Sequence, residues 1–381
     1  MQSESSESWY SDWSTSSSTS RCLGRANVEN KKKSKTKIYR EDAMMKFKLK
    51  KKLSAVAIAT VIATAAGGAA LAQTTIRVGG ATEPMIIAQA KGWFKEAGLN
   101  VEVIDVKNFM QYPNMLASKS IDLLDGYIPA NLWNMIDAGA DFKIISGSAL
   151  AVAAKDGKPA RNIRGYVVRK DLYDSKVITK IADFSGKRLA DFAPVPPKGQ
   201  ISPFPIGHKV FGNTFKEVDW VRMNESDIIT ALASKTVDGA RMRSRWVKIA
   251  VEKGLAVEIV RETDFVPQIQ VRAIVARGEF LTQNREAVVH FLKIYMRALA
   301  YASEVQVGKH KEEYLAAVKA HSDIPADVAL DLVQETEFTP ELAVADLQAT
   351  QEHFVMVGAQ KRVIPLDKVI DLDYLKEAKK K

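Results

Sequence analysis

The chain has 381 residues, 46% of them apolar, with 55 Lys and Arg against 45 Asp and Glu, a formal net charge of +10 and a single cysteine, Cys22. That length and apolar share fit two or three compact domains and exclude both wholesale disorder and a protein with many membrane spans. Residues 1–72 hold 13 basic and 6 acidic side chains, so the remainder is nearly neutral, which excludes the extended cationic surface that sequence-independent nucleic-acid binding requires.

The basic run Lys46–Lys52 precedes the weakly apolar stretch Leu53–Ala66 and the small residues Ala70 and Ala72. This is the pattern of a secretory leader over residues 44–72, with cleavage after Ala72. The positive charge stays on the cytoplasmic side, the apolar stretch enters the translocon, and the small residues fit the peptidase. A membrane anchor is the competing reading, because 53–72 is about as long as a bilayer span. Its Ala-rich composition and the Gly67-Gly68 pair drive insertion only weakly. Residues 1–43 are Ser-rich and then Lys-rich, and read as a disordered or non-native upstream segment. Cys22 lies there, so the mature chain is expected to have no disulfide, no cysteine metal site and no thiol nucleophile.

After the leader, Ile76–Gly80 reads as a strand ending in glycines and Pro84–Ala97 as a helix. Leu99–Val106 follows as a strand, Tyr112–Ser118 as a helix, Ile121–Leu124 as a buried strand, Pro129–Ala138 as a helix, and Phe142–Ser146 as a strand ending at Gly147. Arg164–Arg169 is a further strand. A second series then runs through Lys187–Phe192, Val218–Met223, a helix at Ser226–Lys235 capped at its start, Val237–Met242, a helix at Arg245–Lys253, and Ala256–Val260. Gln268–Ala276 reads as a strand running back, and everything beyond it as helical. Strand–helix alternation of this kind predicts two largely parallel sheets covered on both faces. With residues 73–172 and 270–381 forming lobe I and 173–269 lobe II, a ligand cleft is expected between them, at the carboxyl ends of the strands.

Signatures of catalysis are sparse. The five histidines, His208, His290, His310, His321 and His353, show no paired metal spacing, and neither a nucleophile elbow nor a phosphate loop occurs. His290 sits in an amphipathic pattern and reads as structural, whereas His208 follows a Pro-rich loop and could face the cleft. No cofactor, metal or enzymatic activity is expected.

Seven segments in order, Arg77–Gly79, Pro84–Gln89, Lys91–Val101, Ala117–Asp122, Gly139–Ser146, Asp183–Arg188 and Leu232–Ala240, carry a family resemblance. Over roughly residues 74–305 the chain resembles periplasmic substrate-binding proteins of ABC importers, in the nitrate/sulfonate/taurine group with its NMT1/THI5-like relatives. The resemblance implies an α/β, two-lobe type II fold of the Venus-flytrap kind, with a helical C-terminal part packed on lobe I. It also implies a monomeric periplasmic protein that hands a small solute to a permease and its ATPase. In lobe I it places the ligand at Gly80, Ala81, Thr82 and Glu83, at Tyr127, Ile128 and Pro129, and at Ser148. In lobe II it places the ligand along the loop Lys198–Gly207, with Phe204 and Gly207, and after Val237; His208, the candidate read from its place after the Pro-rich loop, directly follows.

In that last segment similar proteins carry an acidic residue before proline, able to pair with a substrate amine, whereas this chain reads Arg241-Met242-Arg243-Ser244-Arg245-Trp246. The departure argues against an amine-bearing ligand and for a small organic anion, a sulfonate or an aromatic or alkyl carboxylate. Arginine replaces the lost hydration of such a group with donors of fixed geometry. Strand alternation puts Arg241 and Arg243 on one face and Met242 on the other; the bland alternative is that both arginines pair with carboxylates. Backbone N–H groups of helices starting after Glu83, Ile128 and Ser202 would face the same anion. Phe109, Tyr112, Tyr127, Trp133, Phe192, Phe204 and Trp246 are candidates to cover its organic body. A ligand-sensing module, and a thiamin-pyrimidine-precursor binder or enzyme on the same fold, are the alternatives.

Overall fold

The computed structural model describes residues 74–380 apart from 107, 108, 157, 159, 162, 163, 194, 197 and 323. The expected leader, the upstream segment and Cys22 therefore lie outside the described residues, as does the side chain of Phe109. The chain begins with β1 (Thr75–Gly79), α1 (Glu83–Ala90), α2 (Trp93–Glu96), β2 (Asn100–Ile104), α3 (Tyr112–Ala117), β3 (Leu123–Gly126), α4 (Ala130–Asp137) and β4 (Phe142–Val152). A second series follows: β5 (Arg164–Arg169), α5 (Lys170–Asp174), β6 (Arg188–Asp191), α6 (Pro205–Phe211), β7 (Asp219–Arg222), α7 (Glu225–Ala233), β8 (Gly239–Arg243), α8 (Ser244–Glu252) and β9 (Ala256–Arg261). The return strand β10 (Gln268–Arg277) leads into α9 (Gly278–Gln283), α10 (Arg285–Gln306), α11 (Lys311–His321) and α12 (Ala326–Glu335). The two-residue β11 (Glu337–Phe338), α13 (Val344–Met356) and α14 (Asp373–Ala378) complete the chain.

These strands form two sheets, one ordered β11-β4-β10-β3-β1-β2 and the other β7-β6-β8-β5-β9. In the first, β1 pairs in parallel with β2 and β3, while β10 runs antiparallel between β3 and β4. In the second, β6 pairs in parallel with β7 and β8, while β5 runs antiparallel between β8 and β9. Both sheets follow one plan, in which each antiparallel strand is the one the chain enters on crossing from the other sheet. The crossing places β5 in the second sheet, so residues 164–172 go with that sheet and not with lobe I as expected from the sequence.

Side-chain alternation sends each strand into two cores. Ala273 and Val275 of β10 face one apolar cluster with Trp133 and Leu347, and Ile274 and Ala276 face another with Phe291 and Leu292. The second sheet divides likewise, Tyr166 and Val168 packing on one side and Val167 on the other. The C-terminal helices belong to the first sheet: α10, α11, α12 and α14 cover one face and α13 the other. The result is a two-lobe α/β fold with every sheet face covered.

Three local differences from the sequence reading have physical causes. β4 runs through Gly147 to Val152 instead of ending there. That glycine is required because a Cβ would lie 1.9 Å from the Glu341 carbonyl oxygen, and its N–H bonds to the Pro340 carbonyl at 2.8 Å. It marks a close approach of two chain segments and not a turn. α7 starts one residue before Ser226, after Asn224, whose side chain makes no capping bond. β11 interrupts the helical C-terminal part to pair with β4. Among the described residues no helix is long and apolar enough to cross a membrane.

Candidate functional site

The carboxyl end of β1 turns at Gly80, with φ of 105°. A Cβ there would lie 2.4 Å from the Asp125 carbonyl oxygen, so only glycine lets this turn lie against β3. The turn carries Ala81, Thr82 and Glu83 to the start of α1, where Thr82 and Glu83 are buried. Thr82 Oγ1 donates to Asp125 Oδ2, and the Tyr295 hydroxyl lies 2.6 Å from that oxygen and 2.7 Å from Ser148 Oγ. Ser148 is thus fully buried in a polar knot behind the turn and does not line an open surface. Burial pushes the Asp125 carboxyl up, against Arg272 and the hydroxyl donors, which favour its charge.

Glu83 accepts from Arg272 Nη2 at 2.6 Å. Burial works against the arginine's charge, but Glu83 and Asp125 outweigh it and raise its pKa. The Arg272 Nε is buried without a hydrogen-bond partner among the described residues. That matters because an unpaired buried donor on a charged group is costly. Arg272 lines a recess on the first lobe together with Gly126, Tyr127, Ile128, Asp346 and Thr350. Burial pushes the Tyr127 hydroxyl up to about 12, with Arg164 and Arg241 of the second lobe acting in the other direction. Pro129 precedes the first turn of α4.

The expected lobe II residues divide into two groups. Phe204 precedes α6, and Gly207 and His208 lie within it. A Cβ on Gly207 would lie 2.3 Å from Ser202 Oγ, so the helix packs tightly on its own entry loop. The His208 ring centroid is 5.6 Å from that of His353 on α13, and His353 Nε2 is 2.9 Å from the Ser202 carbonyl oxygen. This places His208 in a junction between the lobes.

Arg241 is 5% exposed. Its Nε lies 2.8 Å from Glu262 Oε1, its Nη2 2.7 Å from the same oxygen, and its Nη1 3.3 Å from Asp191 Oδ1. The guanidinium is turned to these carboxylates, which is the paired alternative. Met242 is fully buried on the opposite face. The Arg243 side chain is 45% exposed and pairs with Glu225 at 3.2 Å. Together with Arg164 and Arg241 it surrounds the Phe192 ring, the three guanidinium carbons lying 5.2, 5.8 and 5.5 Å from its centroid. Of the other aromatic candidates, Trp133 is core, and Tyr112 is buried with its hydroxyl on Asp105. Trp246 packs at the edge of the second lobe's core.

The structure therefore brings Gly80, Thr82, Glu83, Tyr127, Ile128 and Ser148 to one end of the first sheet, joined by Asp125, Tyr295 and Arg272, which sequence reasoning missed. A signal for Arg272 was available: it is the lone charge within the apolar run of the return strand. Asp125 and Tyr295 gave none, since 170 residues separate them.

The model of the family described as NMT1/THI5 like matches residues 81–132 and 134–307, more than half of the chain. Among solved structures, the periplasmic aliphatic sulphonate binding protein SsuA from Escherichia coli matches at 16% identity and TM-score 0.58, over 78% of this chain and 92% of that one. The periplasmic nitrate-binding protein NrtA from Synechocystis PCC 6803 matches at 17% and 0.55, over 80% and 88%. The desulfurization enzyme DSZB matches at 15% and 0.57, over 80% and 98%. At these identities the likeness is one of fold. No curated protein matches.

Proposed function

The chain belongs to the NMT1/THI5-like family, and on that premise we propose that it is the periplasmic solute-binding component of an ABC importer, exported by the leader at 44–72. It captures a small organic anion between its lobes and passes it to a permease with its ATPase. The observation that carries the reading is Arg272: a guanidinium on the crossing strand β10 that, among the described residues, has one carboxylate partner and a buried Nε with none. A carboxylate or sulfonate oxygen supplies the missing acceptor. Arg241 stabilises the second lobe, and Arg243 with Phe192 forms the facing wall.

Magnitudes bound the ligand. Micromolar affinity needs about 8 kcal/mol, and each charge-assisted hydrogen bond gives roughly 1.5–3 kcal/mol. Apolar contact with Ile128 and Leu347 of the recess must supply part of the rest.

The fold is also that of DSZB, so a catalytic reading stands beside this one. Both are tested by incubating residues 73–381 with small sulfonates and carboxylates, following melting temperature and the recovered solute. Capture predicts a rise in melting temperature, an unchanged solute, and an affinity lowered at least tenfold by Arg272→Lys. Conversion of the solute would support catalysis, and equal affinity in the variant would remove the Arg272 assignment.

A further inference from the structure

The lobes also meet away from the crossing strands, and one of these contacts carries a titratable base. α13 turns Leu347 and Phe354 into the core of the first lobe. Asp346 and His353, two turns apart on the neighbouring side of the helix, lie within reach of Lys209 on α6 of the second lobe.

His353 is 6% exposed, and its Nε2 lies 2.9 Å from the Ser202 carbonyl oxygen. A carbonyl only accepts, so Nε2 carries the hydrogen and donates. One imidazole thereby ties α13 to the loop that enters α6. That loop is itself folded around Ser202, whose hydroxyl donates to the Phe204 carbonyl at 2.9 Å and accepts from the Phe204 N–H at 3.1 Å. The bond therefore grips a formed loop.

A further proton, on Nδ1, would make the ring a cation, and its surroundings oppose one. From α6 it meets Lys209 and the His208 ring, 5.6 Å away between centroids. No hydrogen bond among the described residues joins the two rings, and His208 Nδ1 is buried without a partner among them. On its own helix Asp346 is engaged by the Gln270 N–H and Glu352 by Gln348 Nε2, while Arg362, beyond the helix, is engaged by Asp137. Burial, joined by His208 and Lys209, holds the imidazole below its ordinary 6.5, against the Ser202 bond.

We propose that this contact is an acid-sensitive clasp: neutral His353 holds the entry loop of α6 against α13 and keeps the lobes together, and its protonation lets them part. Parting returns the ring to water and removes its cationic neighbour. The open form then takes the proton more readily than the closed one. The contribution of His353 to closure is complete above about 6.5 and is lost as pH falls through the lowered value. Asp346 and Glu335, whose carboxyls burial pushes up, work in the opposite direction. A second contact between the lobes, Arg245 with Asp327, keeps its charges in this range, because Arg245 holds that carboxyl below its ordinary 3.8.

The test needs no solute, so its outcome is separate from that of the capture reading. In X-ray scattering of the solute-free protein from pH 8 to pH 5, the radius of gyration rises in one step with a midpoint below 6.5. The His353 imidazole, followed by NMR in the same protein, titrates with that midpoint. His353→Gln, whose side-chain N–H can still reach the Ser202 carbonyl but takes up no proton, shows no step. His208→Leu, which removes the neighbouring imidazole, moves the midpoint up. An unchanged radius in the wild-type protein, a step that persists in His353→Gln, or an NMR midpoint at or above 6.5 overturns the inference. The NMR titration decides it even where His353→Gln does not fold.

Discussion

Two arginines play opposite parts because of what surrounds them. Arg241 meets Asp191 and Glu262, neither more than 6% exposed, whereas Arg272 has one carboxylate and a buried Nε without a partner. Removing one member of a buried ion pair costs roughly 3–5 kcal/mol, since the remaining charge is stranded. Arg241→Ala should therefore lower the unfolding free energy by about that much in a denaturant titration, and a loss under about 1 kcal/mol would show that the cluster is not the buried network described here. Glu335 gives a pH-dependent counterpart. Burial, with Glu225 nearby, pushes its carboxyl up to about 7, against Arg243, Arg164 and the Arg245 N–H. A raised carboxyl pKa means that the fold holds the proton more tightly than the unfolded chain does. Its stabilising contribution is complete below the ordinary value of 4.5 and is lost as pH rises through about 7. Glu335→Gln should flatten the fall in denaturation midpoint between pH 5 and pH 8, and parallel profiles for the two proteins would refute the assignment. The charges at 241 and 272 were legible in the sequence. Their partners were not, because Asp191 and Glu83 reach them only through sheet order and a crossing strand.

At the scale of elements, turns and crossings hold the site. Gly80 sets the loop after β1 against β3, and a side chain there meets both left-handed backbone strain, about 1–3 kcal/mol, and the Asp125 carbonyl. Gly80→Ala should lower the melting temperature and weaken solute binding together, and a variant with wild-type melting would place the turn elsewhere. α8 and α12 are joined by Arg245, whose guanidinium lies 2.6 Å from Asp327 and 3.0 Å from Asp331. Partly exposed pairs of this kind contribute about 1 kcal/mol or less, enough to bias lobe closure several-fold without fixing it. Arg245→Ala should raise the radius of gyration of the solute-free protein in X-ray scattering, more at low salt than at high, and identical scattering curves would deny the clasp. Most elements were readable from period and punctuation. Gly147 misled because a glycine demanded by the neighbouring segment at 340–341 looks, in one dimension, like the end of a strand.

For the whole molecule, the shared plan of the two sheets is the main structural fact. Each is completed by a strand arriving from the other, so β4 with β5 and β10 are the routes by which the lobes are joined, and the recess lies at the start of β10. The alternation of strands and helices made a two-lobe arrangement legible in the sequence. The assignment of β5 to the second sheet was not, because an antiparallel strand has the same local pattern as a parallel one. The departure of the segment after Val237 from related proteins pointed to Arg241 and Arg243, whereas the donor without a partner among the described residues lies on the return strand. The most direct test of the account is a crystal structure of residues 73–381 with the tightest-binding small acid. The account predicts an acid oxygen within hydrogen-bond distance of Arg272 Nε, in the recess beside Tyr127, with Arg241 still held by Asp191 and Glu262. An acid bound instead to Arg241 or Arg243, with the Arg272 recess empty, would contradict it.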